Sequence, residues 1–199
     1  MTSTPIRDQV GDQLITPENS VLAVIDYQPS QIETVRSIDH DLLLRNIITT
    51  VKVAKLFGVP IVHSTINVAN GQGPTLPGLA EELAEYPPID RTAINSWEDE
   101  DFVRAVKATG RRKIVICALW TEACLAFPAI DMLAEGYEVY PVIDAVGGTS
   151  REAHDIAVER IVRAGAKPLS WVALACELQR DWNRTATSDG VSDIVFPGR

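Results

Sequence analysis

The run Ile114–Leu119, reading IVICAL, constrains this chain more than any other stretch. It holds six apolar residues and no charge. Strands of a parallel sheet are covered on both faces, so they read as continuous apolar runs. The turn Trp120-Thr121-Glu122-Ala123 follows, then Cys124, then a helical apolar spacing through Leu125, Ala129, Met132 and Leu133. The pattern predicts a central strand that hands over to a helix at Cys124. In open α/β sheets, ligands bind in the crevice at the carboxyl ends of the strands. A thiol at a helix N-terminus meets the positive end of the helix dipole, which lowers its pKa and favours thiolate. A free cysteine is as readily a small buried hydrophobe. Position alone leaves both readings of Cys124 open.

The same alternation runs along the chain. Ser20–Ile25 is a buried strand ending on Asp26, and Leu42–Phe57 is a helix ended by Gly58 and Pro60. Residues 61–65 are a second strand, 67–77 a loop with Gly71 and Gly73, and Leu79–Leu83 a short helix. A weaker third strand spans Ile89–Ile94, and a helix over 99–109 opens with acidic residues. After the central unit come a fifth strand, Tyr137–Ile143, and a helix over 151–164 with Ser150 as a candidate N-cap. Pro168–Trp171 is a short sixth strand and Val172–Trp182 the last helix. This alternation predicts a three-layer α-β-α fold with a six-stranded, mostly parallel, Rossmann-like sheet of order 3-2-1-4-5-6. Residues 1–19 read as an arm lying over the surface or onto a neighbouring subunit. Residues 20–183 form one domain, and 184–199 read as a polar tail.

Bulk properties exclude several classes. The 199 residues are 46% hydrophobic, enough for one core. Net charge is −9, and no basic face suggests nucleic acid. No apolar run approaches the roughly 20 residues of a membrane span. The first residues lack a signal peptide's apolar core. Three cysteines without a CxxC pair argue against a disulfide framework and for a reducing compartment, so the expected location is cytoplasmic.

Asp26, Arg91 and Cys124 all stand at strand exits. If strands 1 and 4 are neighbours, about 5 Å apart, Asp26 and Cys124 face each other at the point where the strand order reverses. A thiol, a carboxylate able to take its proton, and a cation holding the thiolate make a nucleophilic site. The plainer alternative is a turn-capping Asp26 with Arg91 as its surface ion-pair partner. Asp144 also ends a strand, with a turn role expected. Trp97, Trp120 and Phe127 are candidate walls of an apolar pocket. Cys117 and Cys176 read as inert core. Pro128 removes the N–H that would bond the Cys124 carbonyl, which predicts a bend.

Asp26-Tyr27-Gln28, the segment Trp120–Cys124 entering a helix, and Gly136–Ala145 together resemble the isochorismatase-like cysteine hydrolases. Ile94–Phe102, Thr121–Pro128 and Val172–Trp182 resemble the YcaC-like branch more closely. The resemblance spans roughly 15–185. It implies an Asp–Lys–Cys triad, with Asp26 as proton acceptor and Cys124 as nucleophile. Arg91 stands at the lysine position, where it keeps the charge but cannot lend a proton. The resemblance also implies a non-proline cis peptide at Leu119–Trp120 and an oxyanion hole from the N–H groups of Trp120 and Cys124. Gln28, Asn95, Trp97, Thr121 and Phe127 would line the substrate pocket. Nicotinamidase members bind a metal through an Asp-x-His pair after the second strand and a further histidine. Here only His63 lies in that region, and His40 and His154 read as surface residues. No metal and no cofactor are expected.

The expected activity is hydrolysis of a C–N bond in a small amide-like substrate through a thioester. The expected partners are that small molecule and other copies of the chain, in a homo-oligomer with a ring-like octamer as one form. Arg91 keeps open a different class, a non-catalytic oligomeric scaffold or small-molecule binder. A redox-sensing Cys124 is a third class, with no resolving cysteine nearby in sequence.

Overall fold

A computed structural model describes residues 3–196. Five strands form one parallel sheet: β1 (Ser20–Ile25), β2 (Ile61–Ile66), β3 (Ile89–Arg91), β4 (Lys113–Ala118) and β5 (Glu138–Pro141), in the order β3-β2-β1-β4-β5. Every residue of β1, β2 and β4 is buried, which is why these strands read as unbroken apolar runs. β1 pairs with β4 from Ser20↔Lys113 to Ile25↔Ala118, so the two strands leave the sheet side by side.

The expected six-stranded sheet is corrected to five. Leu169 makes an isolated parallel bridge to Val142, beyond the end of β5. Its N–H donates to the Pro141 carbonyl, and Ile143 N–H donates back to Leu169. The ladder does not extend: Lys167 N–H donates to the Val139 carbonyl at 2.9 Å, but Pro141 of β5 has no N–H to return the bond to Lys167, and beyond Leu169 the Ser170 side chain caps the next helix by accepting from Ala173 N–H. The third and fifth strands are also shorter than expected.

Helices cover both faces. On one lie α2 (His40–Leu56), α3 (Pro77–Glu82), α7 (Trp171–Gln179) and α8 (Thr185–Val195), each packed against α2. The other carries α4 (Glu100–Ala108), α5 (Ala126–Ala134) and α6 (Arg151–Arg163). A single turn, α1 (Pro29–Ile32), follows β1. Helix starts are capped by Asp39, Asp99, Ser150 and Ser170. Among the described residues no helix is long and apolar enough to cross a membrane.

The C-terminal stretch departs from its reading, and the N-terminal arm lies over its own chain. The expected polar tail forms α8, whose Val191 is buried; residues 197–199 lie outside the described part. The N-terminal arm folds onto its own chain, with Ile15 fully buried and its N–H donating to Glu177 at 2.7 Å.

Candidate active site

Asp26 is the first residue after β1, and it turns out of the strand with a positive φ of 62°. It is fully buried. An isolated carboxylate there would be costly, so it needs a partner of opposite charge. Arg91, at the end of β3, supplies one. Its Nη1 donates to Asp26 Oδ1 and its Nη2 to Oδ2, both at 2.8 Å. The same nitrogens also donate to the Thr65 carbonyl at 3.1 Å and the Ile94 carbonyl at 3.2 Å. This two-point fork suits guanidinium and not ammonium.

Cys124 completes the group. It lies in a π-type turn, Thr121–Leu125, where Leu125 N–H donates to the Trp120 carbonyl. The regular helix begins only at Ala126, with Pro128 in its first turn. The Cys124 thiol lies beside the Asp26 carboxylate and the Trp120 backbone N–H, close enough for both to shift its pKa. The Leu119–Trp120 peptide is cis. The structure therefore brings together the three residues singled out at strand exits, with Trp120 beside them.

Their electrostatics correct one expectation. Burial raises the Cys124 pKa, and the neighbouring Asp26 charge raises it further; Arg91 and the Trp120 N–H only partly oppose this. Burial and the Asp26 charge both favour the neutral thiol over the thiolate. Arg91 directs its terminal nitrogens at Asp26 and backbone carbonyls, so it holds the carboxylate and does not chiefly hold the sulfur. Burial also raises the Asp26 pKa, against the pull of Arg91.

The candidate pocket residues scatter. Gln28 is fully buried, and its amide is committed to backbone: it donates to the carbonyls of Ile66 (2.9 Å) and Gly73 (2.6 Å) and accepts from Ile66 N–H. It braces the loop after β2 and offers no free group. Trp97 is corrected outright. Its indole donates to Glu135 at 2.9 Å and stacks edge-on with Tyr137. Glu135 lies eleven residues beyond Cys124, about 16 Å along a helix. Asn95 caps the turn before α4 and donates to Asp131 at 2.7 Å, also well down α5. Phe127 is 36% exposed, with the Arg160 guanidinium 5.9 Å from its ring centroid. Thr121 is fully buried but turns its hydroxyl to His154, 2.9 Å away. The Trp120 indole donates to Gln31 and Thr34, over α1.

Other readings sort in the same way. Both ring nitrogens of His63 are engaged, by the Tyr86 carbonyl at 3.0 Å and Thr75 Oγ1 at 2.8 Å, which leaves no lone pair for a ligand. Asp144 takes its expected turn role, accepting from Trp171 N–H at 3.0 Å. Cys117 is buried core, but Cys176 is exposed, contrary to expectation. His154 is half-buried against the Cys124 turn, not a surface residue; it lies 33 residues from Thr121, and no local pattern announces the contact.

Comparison with known proteins agrees with this geometry. The isochorismatase domain profile matches residues 20–173. Probable hydrolase YcaC of Escherichia coli is 36% identical over 165 residues, covering 82% of this chain and 79% of that protein. The structure of YcaC from Pseudomonas aeruginosa with hexane-2,5-diol and covalent acrylamide superposes with a TM-score of 0.87 at 33% identity, over 92% and 90% of the chains. The Escherichia coli YcaC structure, an octameric hydrolase of unknown specificity, gives 0.87 at 34% identity, over 94% and 92%. The chain belongs to the isochorismatase family and is an isochorismatase-family hydrolase.

Proposed function

We propose that this chain is a cysteine-dependent hydrolase that cleaves the C–N bond of a small amide-like substrate. The observation that carries the reading is the contact between the Cys124 thiol and the Asp26 carboxylate that Arg91 holds. A buried carboxylate against a buried thiol is the arrangement of a nucleophile with its base.

Asp26 takes the thiol proton as Sγ attacks the carbonyl carbon, and a C–S bond forms. The carbonyl oxygen gains the charge and meets the N–H groups of Trp120 and Cys124. Asp26 returns the proton to the substrate nitrogen, the C–N bond breaks and the amine leaves. Water then attacks the thioester while Asp26 takes a water proton. The C–S bond breaks, the acid leaves, and the proton goes back to Sγ. A neutral resting thiol suits this order, because Asp26 removes the proton only as the new bond forms. Arg91 keeps its proton throughout and acts by fixing Asp26.

The covalent acrylamide on the Pseudomonas relative supports an electrophile-reactive group in this architecture. The octamer of the Escherichia coli relative supports self-association here as well. Light scattering is expected to give a multiple of the 21.7 kDa chain mass.

The test uses acrylamide on the full chain, with adducts mapped by peptide mass spectrometry. A fast adduct at Cys124 is expected, absent in Cys124→Ala and suppressed in Asp26→Asn. A panel of small amides then assays turnover. Adducts confined to the exposed Cys176 would overturn the nucleophile and favour the small-molecule binder.

A further inference from the structure

The turn that carries Cys124 is gripped from one side by residues that the reaction above does not use. Thr121 N–H donates to the Gly147 carbonyl at 2.9 Å. The Thr121 hydroxyl and His154 Nδ1 are 2.9 Å apart and hydrogen-bonded. Glu122 Oε1 accepts from both the N–H and the hydroxyl of Thr149, at 2.9 and 2.6 Å. Gly148 lies between these contacts. A Cβ there would fall 2.7 Å from Glu122 Oε2 and 3.1 Å from the His154 backbone N, so glycine lets the segment close on the turn without displacing either. The segment is itself anchored: Gly148 N–H donates to Ser37 Oγ, and Arg36 N–H donates to the Gly148 carbonyl, both at 2.9 Å.

A π-type turn leaves the regular helical ladder. Its own bonds, from Leu125 N–H to the Trp120 carbonyl and from Ala126 N–H to the Thr121 carbonyl, run along the backbone and do not hold its side chains. Here the missing restraint comes from outside, through the two residues three and two positions before Cys124. We propose that His154 is a positioning residue for Cys124: through the Thr121 hydroxyl it fixes the turn that aims Sγ at Asp26, with Glu122 and Thr149 as the second point of the clamp. The proposal rests on the reading of Cys124 as the nucleophile. The charged groups facing His154 are Asp155, Glu122 and Arg151, and none of them replaces its bond to Thr121.

A clamp and a mere structural prop respond differently when cut. Losing a clamp leaves the thiol buried but misaimed, so Cys124 reacts more slowly. Losing a prop opens the region, so buried thiols react faster. Misplacing a reactive group by even 1 Å can slow its chemistry by up to about a hundredfold. The experiment measures acrylamide addition in the full chain at Cys124, at buried Cys117 and at exposed Cys176. His154→Ala and Thr121→Val are each expected to slow Cys124 on the order of tenfold, leaving Cys176 unchanged. The double variant should be no slower than either single one, because both remove the same bond. His154→Asn keeps a polar group near the Nδ1 position and should restore most of the rate.

An unchanged Cys124 rate in His154→Ala overturns the proposal. Faster reaction at Cys124 and Cys117 together does so too, because it marks loss of structure. If Cys124 of the unaltered chain gives no adduct, the nucleophile itself is wrong and the clamp falls with it. The unaltered chain thus separates the two failures.

Discussion

The two ends of the β1–β4 strand pair each bury a charge and treat it differently. At the N-terminal end, opposite Ser20, Lys113 is 3% exposed. Its ammonium donates three hydrogen bonds, to the carbonyls of Asp12 (2.6 Å), Gln13 (2.6 Å) and Leu14 (2.9 Å). Three donors meet three acceptors, so nothing is left over. This end ties the N-terminal arm to the sheet. At the C-terminal end, Asp26 and Arg91 also pair completely at the carboxylate, yet the group stays open. A thiol shares Asp26, and Arg91 Nε is buried with no partner. A buried charge whose bonds close on the backbone makes an anchor. One set beside a thiol keeps a second polar neighbour at its oxygens.

The largest expected effect tests the open end. Arg91→Ala leaves the Asp26 charge buried and unpaired, a loss of about 3–5 kcal/mol by urea unfolding. Arg91→Lys should lose less, since it keeps the charge but not the two-point fork. Equal stability of Arg91→Ala and the unaltered chain would break the contrast. Lys113→Met tests the closed end. It strands three carbonyls but removes the charge as well, so about 1–3 kcal/mol is expected. Its acrylamide rate at Cys124 should stay within about twofold of the unaltered chain, since the two ends are too far apart to couple. Trp97→Phe should cost about 1 kcal/mol for the lost bond to Glu135 and leave the Cys124 rate alone. A slowed Cys124 would return Trp97 to the pocket. The smallest effect is one of pH. Burial lowers the His63 pKa below its ordinary 6.5. Its contribution is therefore fully present above pH 6.5 and fades as the pH falls through the lowered value. The melting temperature should drop on acidification from pH 7, and His63→Gln should flatten that slope. A slope equally steep in both would assign it to other groups.

Pattern and composition were enough for the layers, because the signals are local. Apolar runs mark strands covered on both faces, glycines end helices, and Ser150 and Asp99 cap them within three residues of their own position. The alternation of these elements determined an α/β sheet, and with it that Asp26, Arg91 and Cys124 leave their strands at one edge. That much of the site was legible because it depends only on where strands end. What the side chains do there was not. Trp97 and Asn95 stand near Arg91 in sequence, yet they run down α5, because the turn before α4 faces that helix and not the crevice. Arg91 turns to Asp26, and burial favours the protonated thiol of Cys124. His154 reaches Thr121 only because α6 packs beside the Cys124 turn. The sixth strand failed because Pro141, on the neighbouring strand, has no N–H for the Lys167 carbonyl, so a ladder's length depends on its partner. Periodicity and capping are properties of a few adjacent residues, so the sequence by itself determined the elements and their order. Burial, register and contacts between distant segments exist only once the chain is folded, so the tertiary structure alone decided which groups meet and which way burial pushes their charges.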